Sequence, residues 1–472
     1  MSGVISIKKA ALINASAKYT NVIFQFVATA VLARLLSPEC YGLIAVITVF
    51  SVFFTTFSDI GLSSGVVQNK ALSKLDVDNI FSFSFYLSLF LGVLFALASY
   101  PIAWFYEDDV YVPIGLLMSV SLFFNALSMI PNACLMREKR FKMIGLRTVC
   151  ASLVSYGIAI FLAFQGYEYY SLVIQSIIFS LITFFWNVYV TQLSFIFKFD
   201  FTSVKKIIGY SSFNFGYDFL NYFVRNVDSL LTGKLMGKAM LGYYHKAYSL
   251  MLYPVMYLTF AIVPVLHPIL SDHQDDREYI WSKYLQVVKC LSLVGMFVSF
   301  FCFIAADEIV NILYGPNWDA AIPCVKCLSF SIWFQMLSSS CDSIYKSIGK
   351  SKLLFNTALV FVAVQLVIIV LGALSCDLKI LSMSVATAFI LKFFISTFSL
   401  SKYGFNKNIL ELYFFVLPEF VVYLFSFLVM TFCLHFSFDN MFLSFVYKFI
   451  MSLIMFAVGY FVFNQYSYLK KK

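Results

Sequence analysis

"NFGYDFLNYFVRNVDSLLTGK", residues 214–234, is long enough for a membrane-crossing helix yet carries three charges in its apolar body. Asn214, Asp218, Asn221, Arg225 and Asp228 fall at i, i+4, i+7, i+11 and i+14. On a helix of 3.6 residues per turn that spacing is one continuous face. Most of the remaining positions are Phe, Tyr, Leu and Val. The stretch therefore reads as a helix with an apolar body and one polar stripe. A charge facing lipid at the bilayer centre costs at least about 2.5–3.5 kcal/mol. The stripe is expected to line a water-filled or protein-lined cavity.

The surrounding chain supplies the membrane context. Of its 472 residues, 61% are hydrophobic and only 12% charged, where soluble domains run near about 25% charged. Apolar runs of about 20 residues recur from end to end, the length that crosses a bilayer as helix. Helices satisfy their own backbone polar groups, so an all-α polytopic membrane protein is the expected fold class. About fourteen spans are legible, centred near residues 23, 51, 90, 122, 155, 180, 220, 255, 297, 331, 363, 390, 422 and 454. The connections are short, the longest near 271–285, and none could hold a soluble catalytic module. Lys8 and Lys9 precede the first apolar run, but Lys18 interrupts it and no small-residue cleavage site follows. The first helix is expected to stay in the membrane.

The formal net charge of +9 is unevenly distributed. One set of alternate loops holds Lys8, Lys9, Lys70, Lys74, Arg137, Lys139, Arg140 and Lys142. It continues with Lys198, Lys205, Lys206, Lys346, Lys350, Lys352, Lys402, Lys407 and the terminal Lys470, Lys471 and Lys472. The other set holds Glu107, Asp108, Asp109, Glu168, Asp307, Glu308, Asp319 and Asp439, with Lys234 and Lys238 the main exceptions. Basic loops mark the cytoplasmic side, so both termini are expected there, which requires an even number of spans. The same asymmetry accounts for the positive charge without a nucleic-acid partner.

The chain also repeats itself. At an offset of 200, Asn14 falls on Asn214, Lys18 on Asp218, Asn21 on Asn221, Gln25 on Arg225, Arg34 on Lys234 and Gly42 on Gly242. At an offset of 210, Asn125 falls on Gln335, Ser128 on Ser338, Asn132 on Asp342, Arg140 on Lys350 and Lys142 on Lys352. Matched polar residues at matched spacing are stronger evidence than matched leucines. Each repeat would hold six spans, an even number. The expected layout is two six-helix pseudo-symmetric lobes in parallel repeat, 1–206 and 207–405, followed by a terminal helix pair in 406–472. Parallel repeats are a transporter architecture with the substrate site between the halves.

Four stretches give the chain a family resemblance: "LARLLSPECYGLIAV" (32–46), "FSDIGLSSGVVQ" (57–68), "VRNVDSLLTGKLMGKAMLGYYHKAYSL" (224–250) and "LYGPNWDAA" (313–321). They resemble the signature stretches of bacterial polysaccharide transporters. These are the Wzx-type lipid-linked oligosaccharide flippases, in the branch with colanic-acid and teichuronic-acid exporters, within the multidrug/oligosaccharidyl-lipid/polysaccharide exporter superfamily. The resemblance covers nearly the whole chain. It marks the branch and not the sugar. It implies an inner-membrane, multi-pass flippase that is not an enzyme and uses no cofactor. The implied cargo is an undecaprenyl-pyrophosphate-linked glycan turned over by alternating access for O-antigen, capsule or exopolysaccharide assembly. H⁺ or Na⁺ as coupling ion and a polysaccharide polymerase complex as partner go with that reading.

The polar residues then take candidate roles. Lys18 and Arg225 suit a diphosphate, the one as a point charge and the other as a fork. Internal pairing is their alternative: Lys18 with Asp218, or Arg225 with Asp228 or Asp218. Asn14, Asn21, Gln25, Asn214 and Asn221 are candidates for the cavity lining, against an alternative as interhelical hydrogen bonds worth about 0.6 kcal/mol each. Asp218 is a candidate ion-coupling group, and Asp228, Asp59, Asp342 and Gln335 are gate, coupling or packing candidates. Tyr217 and Tyr222 could stack on sugar. Arg34 and Lys234 are expected to snorkel at helix ends.

Other chemistries lack their parts. Cys324 and Cys327 in "CVKC" have metal-like spacing but no second ligand pair, so no metal is expected. "GKS" at 349–351 has Ile344 where a phosphate loop needs its first glycine. The ten cysteines are scattered and form no disulfide framework, and the four histidines form no triad. Two rivals remain. A multidrug antiporter of the same superfamily or another lipid-precursor flippase would share the architecture. A polymerase or ligase would need a large outer loop, and none is present.

Overall fold

The computed structural model of the chain describes residues 7–59, 61–208, 212–260, 276–433, 438 and 440–463, with the side chains of 7–19, 208, 212–221, 223, 224, 260, 351 and 431–433 outside the description. Among the described residues the chain is helical, with no strand. In order the helices are α1 (Ile7–Leu35), α2 (Pro38–Asp59), α3 (Leu62–Gln68), α4 (Lys74–Tyr106), α5 (Tyr111–Leu127), α6 (Met129–Arg137), α7 (Phe141–Phe164), α8 (Glu168–Thr191), α9 (Phe201–Ile208) and α10 (Ser212–Met236). There follow α11 (Lys238–Phe260), α12 (Arg277–Ile304), α13 (Ala306–Leu313), α14 (Ile322–Ser329), α15 (Ile332–Ser347), α16 (Ser351–Leu374), α17 (Leu378–Ser399), α18 (Ile409–Cys433) and α19 (Met441–Val462). A 3-10 turn (Pro316–Ala321) precedes α14, and a π turn (Leu400–Phe405) follows α17.

Ten helices among the described residues are long and apolar enough to cross a membrane, or eleven if α14 and α15, bent by 52° at their junction, count as one. Thirteen of the expected centres fall inside helices, and the one near 331 falls on the break between α14 and α15. The expected long connection at 271–285 is corrected in part. Asp276 accepts the Tyr279 amide at 2.9 Å and starts α12 at Arg277, so 277–285 is helix and 271–275 lie outside the described residues.

The chain divides into two compact units, Met1–Tyr222 with Gly237–Gly242, and Phe223–Met236 with Tyr243–Lys472. In the first, α4 packs on α5, α1 on α7, and α8 on both α5 and α7. Leu62, Val66, Ile80, Leu127, Ile130, Val204 and Ile207 form a buried cluster at one end. In the second, α16 packs on α17, α12 on α15 and α18, and α18 on α19.

Charges sort to opposite ends within each unit. At one end of the first, Arg137 donates to the Lys70 and Leu72 carbonyls (3.0 and 3.1 Å). At the other, Lys238, an exception to the loop asymmetry, meets Asp108 at 3.2 Å. It lies among the acidic loops as a compensated charge. In the second unit Lys407 pairs with Glu278 (2.8 Å) at one end and Lys326 with Asp307 (2.7 Å) at the other.

The internal repeat has local counterparts. The starts of α7 and α16 (141 and 351), and of α8 and α17 (168 and 378), are each 210 residues apart. The preceding turns match too: Lys139 and Gly349 have φ of 55° and 69°, and Gly166 and Cys376 have φ of 83° and 52°. The Asn125 amide donates to Ser121 Oγ (3.3 Å), and the Gln335 amide to Ser331 Oγ (3.0 Å), again 210 apart.

The connector after α8 is strapped along α4. Ser194 N donates to Asp78 Oδ1 (3.0 Å), Ile196 N to Ser82 Oγ (2.8 Å) and Asp200 N to Asn79 Oδ1 (3.0 Å). Asp76 takes Ser203 Oγ (2.8 Å) and Lys206 Nζ (2.7 Å), while its capping box with Ser73 starts α4. The Thr202 hydroxyl and amide hold the Asp200 carboxyl below the usual carboxylate range. Asp78, Asn79 and Ser82 are buried, so leaving their partners unmet should cost roughly 1–3 kcal/mol each. Asp78→Ala is expected to speed amide exchange at Ser194 by about tenfold or more, with the α7 amides unchanged. Equal exchange in wild type and variant would show that the strap is held by packing alone.

Candidate functional site

The polar face of α10 divides at Arg225. Asn214, Asp218 and Asn221 share its helix, but their side chains lie outside the described residues, as do those of Asn14, Lys18 and Tyr217.

Arg225 is exposed at the surface of its unit, and among the described residues no carboxylate stands within ion-pair distance of it. Asp228, one turn on, is 2% exposed and otherwise engaged. It accepts from the Tyr244 hydroxyl of α11 at 2.5 Å and from the Ser229 amide at 2.7 Å. The alternative in which Asp228 pairs with Arg225 is therefore not what the side chains do. A phenol that donates and an amide that donates satisfy a buried carboxylate without a cation. Arg225 lies instead within electrostatic reach of Tyr248 and of Lys392.

Lys392 was not among the sequence candidates. It is buried on α17, 9% exposed, with Nζ 5.0 Å from the centre of the Phe361 ring. Asp342 of α15 lies within its electrostatic reach. Arg225, Lys392 and Asp342, on three helices of the second unit, thus act on one another electrostatically, with Lys392 under the influence of both. The signal was in the sequence: Lys392 is a single lysine inside "AFILKFFIS" (388–396).

The remaining candidates separate into packing and unmet groups. Gln335 is 8% exposed and satisfied by Ser331 and the Met251 sulfur, which makes it interhelical glue. Asp59 accepts the Ser63 amide at 2.9 Å and so caps the turn into α3. Tyr222 donates its hydroxyl to the Val49 carbonyl and tilts against Phe53 at 6.0 Å. Gln25 is half-buried. Asn21 Oδ1 is buried with no hydrogen-bond partner among the described residues. Such an acceptor is costly unless something else meets it.

Other buried charges serve packing. Lys289 of α12 pairs with Glu419 of α18, whose side chain is fully buried. Lys448 of α19 pairs with Glu308 of α13 at 2.6 Å, and Ser444 Oγ joins the same carboxylate at 2.7 Å. The last two helices are thereby pinned to the second unit by buried ion pairs. Arg147 bridges Asn132 and Asn187 (3.0 and 2.6 Å) inside the first. Among the described residues no three His, Cys, Asp or Glu side chains are grouped to hold a metal ion.

One close approach is reciprocal. A Cβ built on Gly42 would stand 1.8 Å from the Lys238 carbonyl oxygen, and one on Gly242 would stand 1.9 Å from the Pro38 carbonyl oxygen. The first turns of α2 and α11, 200 residues apart in sequence, cross backbone to backbone where neither has a side chain.

Comparison with known proteins places this geometry. Residues 31–323 match the family described as polysaccharide biosynthesis protein, more than half of the chain. The teichuronic acid biosynthesis protein TuaB of Bacillus subtilis (strain 168) is 22% identical over 354 residues, 73% of each chain. The lipopolysaccharide biosynthesis protein WzxC of Escherichia coli (strain K12) is 23% identical over 315 residues, 63% of this chain and 61% of its own. Among solved structures, the lipid II flippase MurJ in an inward closed conformation superposes with a TM-score of 0.75 at 14% identity, covering 96% of this chain and 99% of that one. An inward-facing multidrug resistance MATE family transporter of the MOP superfamily follows at 0.63, also 14% identical, over 82% and 96%. At that identity the likeness is one of fold.

Proposed function

We propose, from the premise that the chain belongs to the polysaccharide biosynthesis protein family, that it is a flippase for lipid-linked oligosaccharide in the bacterial inner membrane. The cargo in this reading is an undecaprenyl-pyrophosphate-linked repeat unit, moved from the cytoplasmic leaflet outward for surface polysaccharide assembly. The single observation that carries it is Arg225: a cation on a polar-striped helix, without a carboxylate partner among the described residues, with Lys392 within its electrostatic reach. A diphosphate is the chemistry that two such cations select, through charge-assisted hydrogen bonds. The names of the relatives support polysaccharide as the destination.

The finer layout belongs to the same proposal. Adding α1, α10, α11 and the bent α14–α15 pair to the ten apolar helices gives fourteen crossings. They are grouped as lobes 1–206 and 207–405 with a terminal pair in 406–472. Both termini are cytoplasmic, and alternating access is driven by H⁺ or Na⁺, with Asp218 and Asp342 as the carboxylates available to the ion. The reciprocal crossing at Gly42 and Gly242 is the fulcrum of that motion.

Deleting the gene should remove one surface polysaccharide, and complementation should restore it. Unchanged polysaccharide with a gain in drug sensitivity would favour a multidrug antiporter. The topology is checked with single cysteines in a background lacking the native ones. Asp108→Cys should label with an impermeant maleimide in intact cells and Arg140→Cys only after permeabilisation; the reverse pattern would invert the orientation.

A further inference from the structure

The basic end of the first unit holds a cavity of about 420 Å³ between the α3–α4 turn and α9. Gln68, Asn69, Lys70, Lys206 and Ile207 line it. Gly65 shapes it: a Cβ there would stand 2.6 Å from the Ile207 side chain, so α9 seats this low only on a glycine. We infer that this cavity holds the phosphate headgroup of an anionic membrane lipid, with Lys70 and Lys206 as its cations.

Three observations converge. The first is charge. Lys70 and Lys206 face one space, and Lys74, Lys205 and Arg137 stand on the same elements or beside them. Lys206 gives one hydrogen bond to Asp76 yet keeps its side chain 52% exposed, and an ammonium has three donors. Asn69 spends its oxygen on the Ala71 amide (3.0 Å), so its NH₂ group is the end left for an anion.

The second is depth. The cavity lies where the apolar run of α4 begins, the level at which headgroups sit. The third is the neighbouring surface. Phe197 on the strap that leads into α9 is 81% exposed and Phe201, which opens α9, is 44% exposed, and the Tyr86 hydroxyl fixes the Phe197 carbonyl at 3.2 Å. Exposed phenyl rings on the element that supplies Lys206, and on the strap leading into it, suit an acyl chain running on from a phosphate ester. A soluble anion would leave them in water.

This goes beyond the flippase reading and needs only that this end of the unit meets a membrane surface. The test therefore uses binding and not export. Full-length protein is placed in vesicles of phosphatidylcholine doped with a photoactivatable phosphatidylglycerol, and adducts are mapped by mass spectrometry. Adducts should concentrate in 65–75 and 195–208. Lys70→Gln should lower them about fivefold, the factor one basic residue near an anionic surface contributes. Lys379→Gln, an exposed lysine elsewhere, should leave them unchanged. Lys70 carries the test because Lys206→Gln also releases Asp76. An unchanged thermal midpoint for Lys70→Gln should accompany the loss. Equal labelling by photoactivatable phosphatidylcholine, insensitivity to Lys70→Gln, or full displacement by inorganic phosphate would each overturn the proposal, the last by making it a site for free phosphate.

Discussion

Arg225→Ala is expected to abolish surface polysaccharide while the protein still accumulates in the membrane at the wild-type level. Hydrogen bonds to a charged group contribute roughly 1.5–3 kcal/mol each. Losing one or two of them from a transported diphosphate lowers flux by at least about tenfold. Arg225→Lys should recover part of the activity, because an ammonium keeps the charge and loses the fork. The exchange Arg225→Asp with Asp228→Arg separates binding from architecture. Asp228 is buried and held by Tyr244 and Ser229. An arginine there would be an unpaired buried cation, and the aspartate at 225 would face the cargo. The exchange should stay inactive. Export restored by it would remove Arg225 from the substrate path.

Gly42→Ala and Gly242→Ala are expected to be the most damaging of the small substitutions. In each a methyl group meets a backbone carbonyl oxygen, at 1.8 and 1.9 Å, and a carbonyl in a helix cannot swing aside as a side-chain tip can. The first turns of α2 and α11 must separate, at a cost of roughly 1–3 kcal/mol or more. Both variants should lose thermal stability in detergent and lose export. Gly157→Ala is the control: nothing stands within 4 Å of its Cβ, and alanine is the better helix former. A Gly42→Ala protein with wild-type stability and export would show that this crossing opens without consequence.

The helices were legible because a membrane span announces itself through length and apolarity alone. Polar residues were legible too: Asn125 over Gln335 anticipated two amides that each bond a serine one turn back. Partner choice was not legible. Arg225 and Asp228 share a helix face, and proximity in sequence suggested a pair. The buried carboxylate went to Tyr244, sixteen residues on across a helix junction. Lys289 and Glu419, or Lys448 and Glu308, stand more than a hundred residues apart, and Lys289, Glu419 and Lys448 are each alone in an apolar run. A lone charge in such a run is a dependable sign of a buried partner, but nothing in the run names it. Lys392 is another such single charge, and because it belongs to no polar stripe its electrostatic link to Arg225 was hidden. The strap was hidden for the same reason, since Asp78, Asn79 and Ser82 meet backbone amides 114–121 residues later.

Transbilayer movement of a lipid-linked oligosaccharide can be followed in proteoliposomes of the purified full-length protein. Vesicles carry a polyprenyl-diphosphate oligosaccharide with a terminal sugar that an impermeant glycosidase removes, and the protected fraction is followed after an ion gradient is applied. Wild-type protein should bring the inner-leaflet half of the glycan to the enzyme, while Arg225→Ala should leave it protected. Protection of the native glycan at the level of protein-free vesicles for the wild type would rule transbilayer movement out.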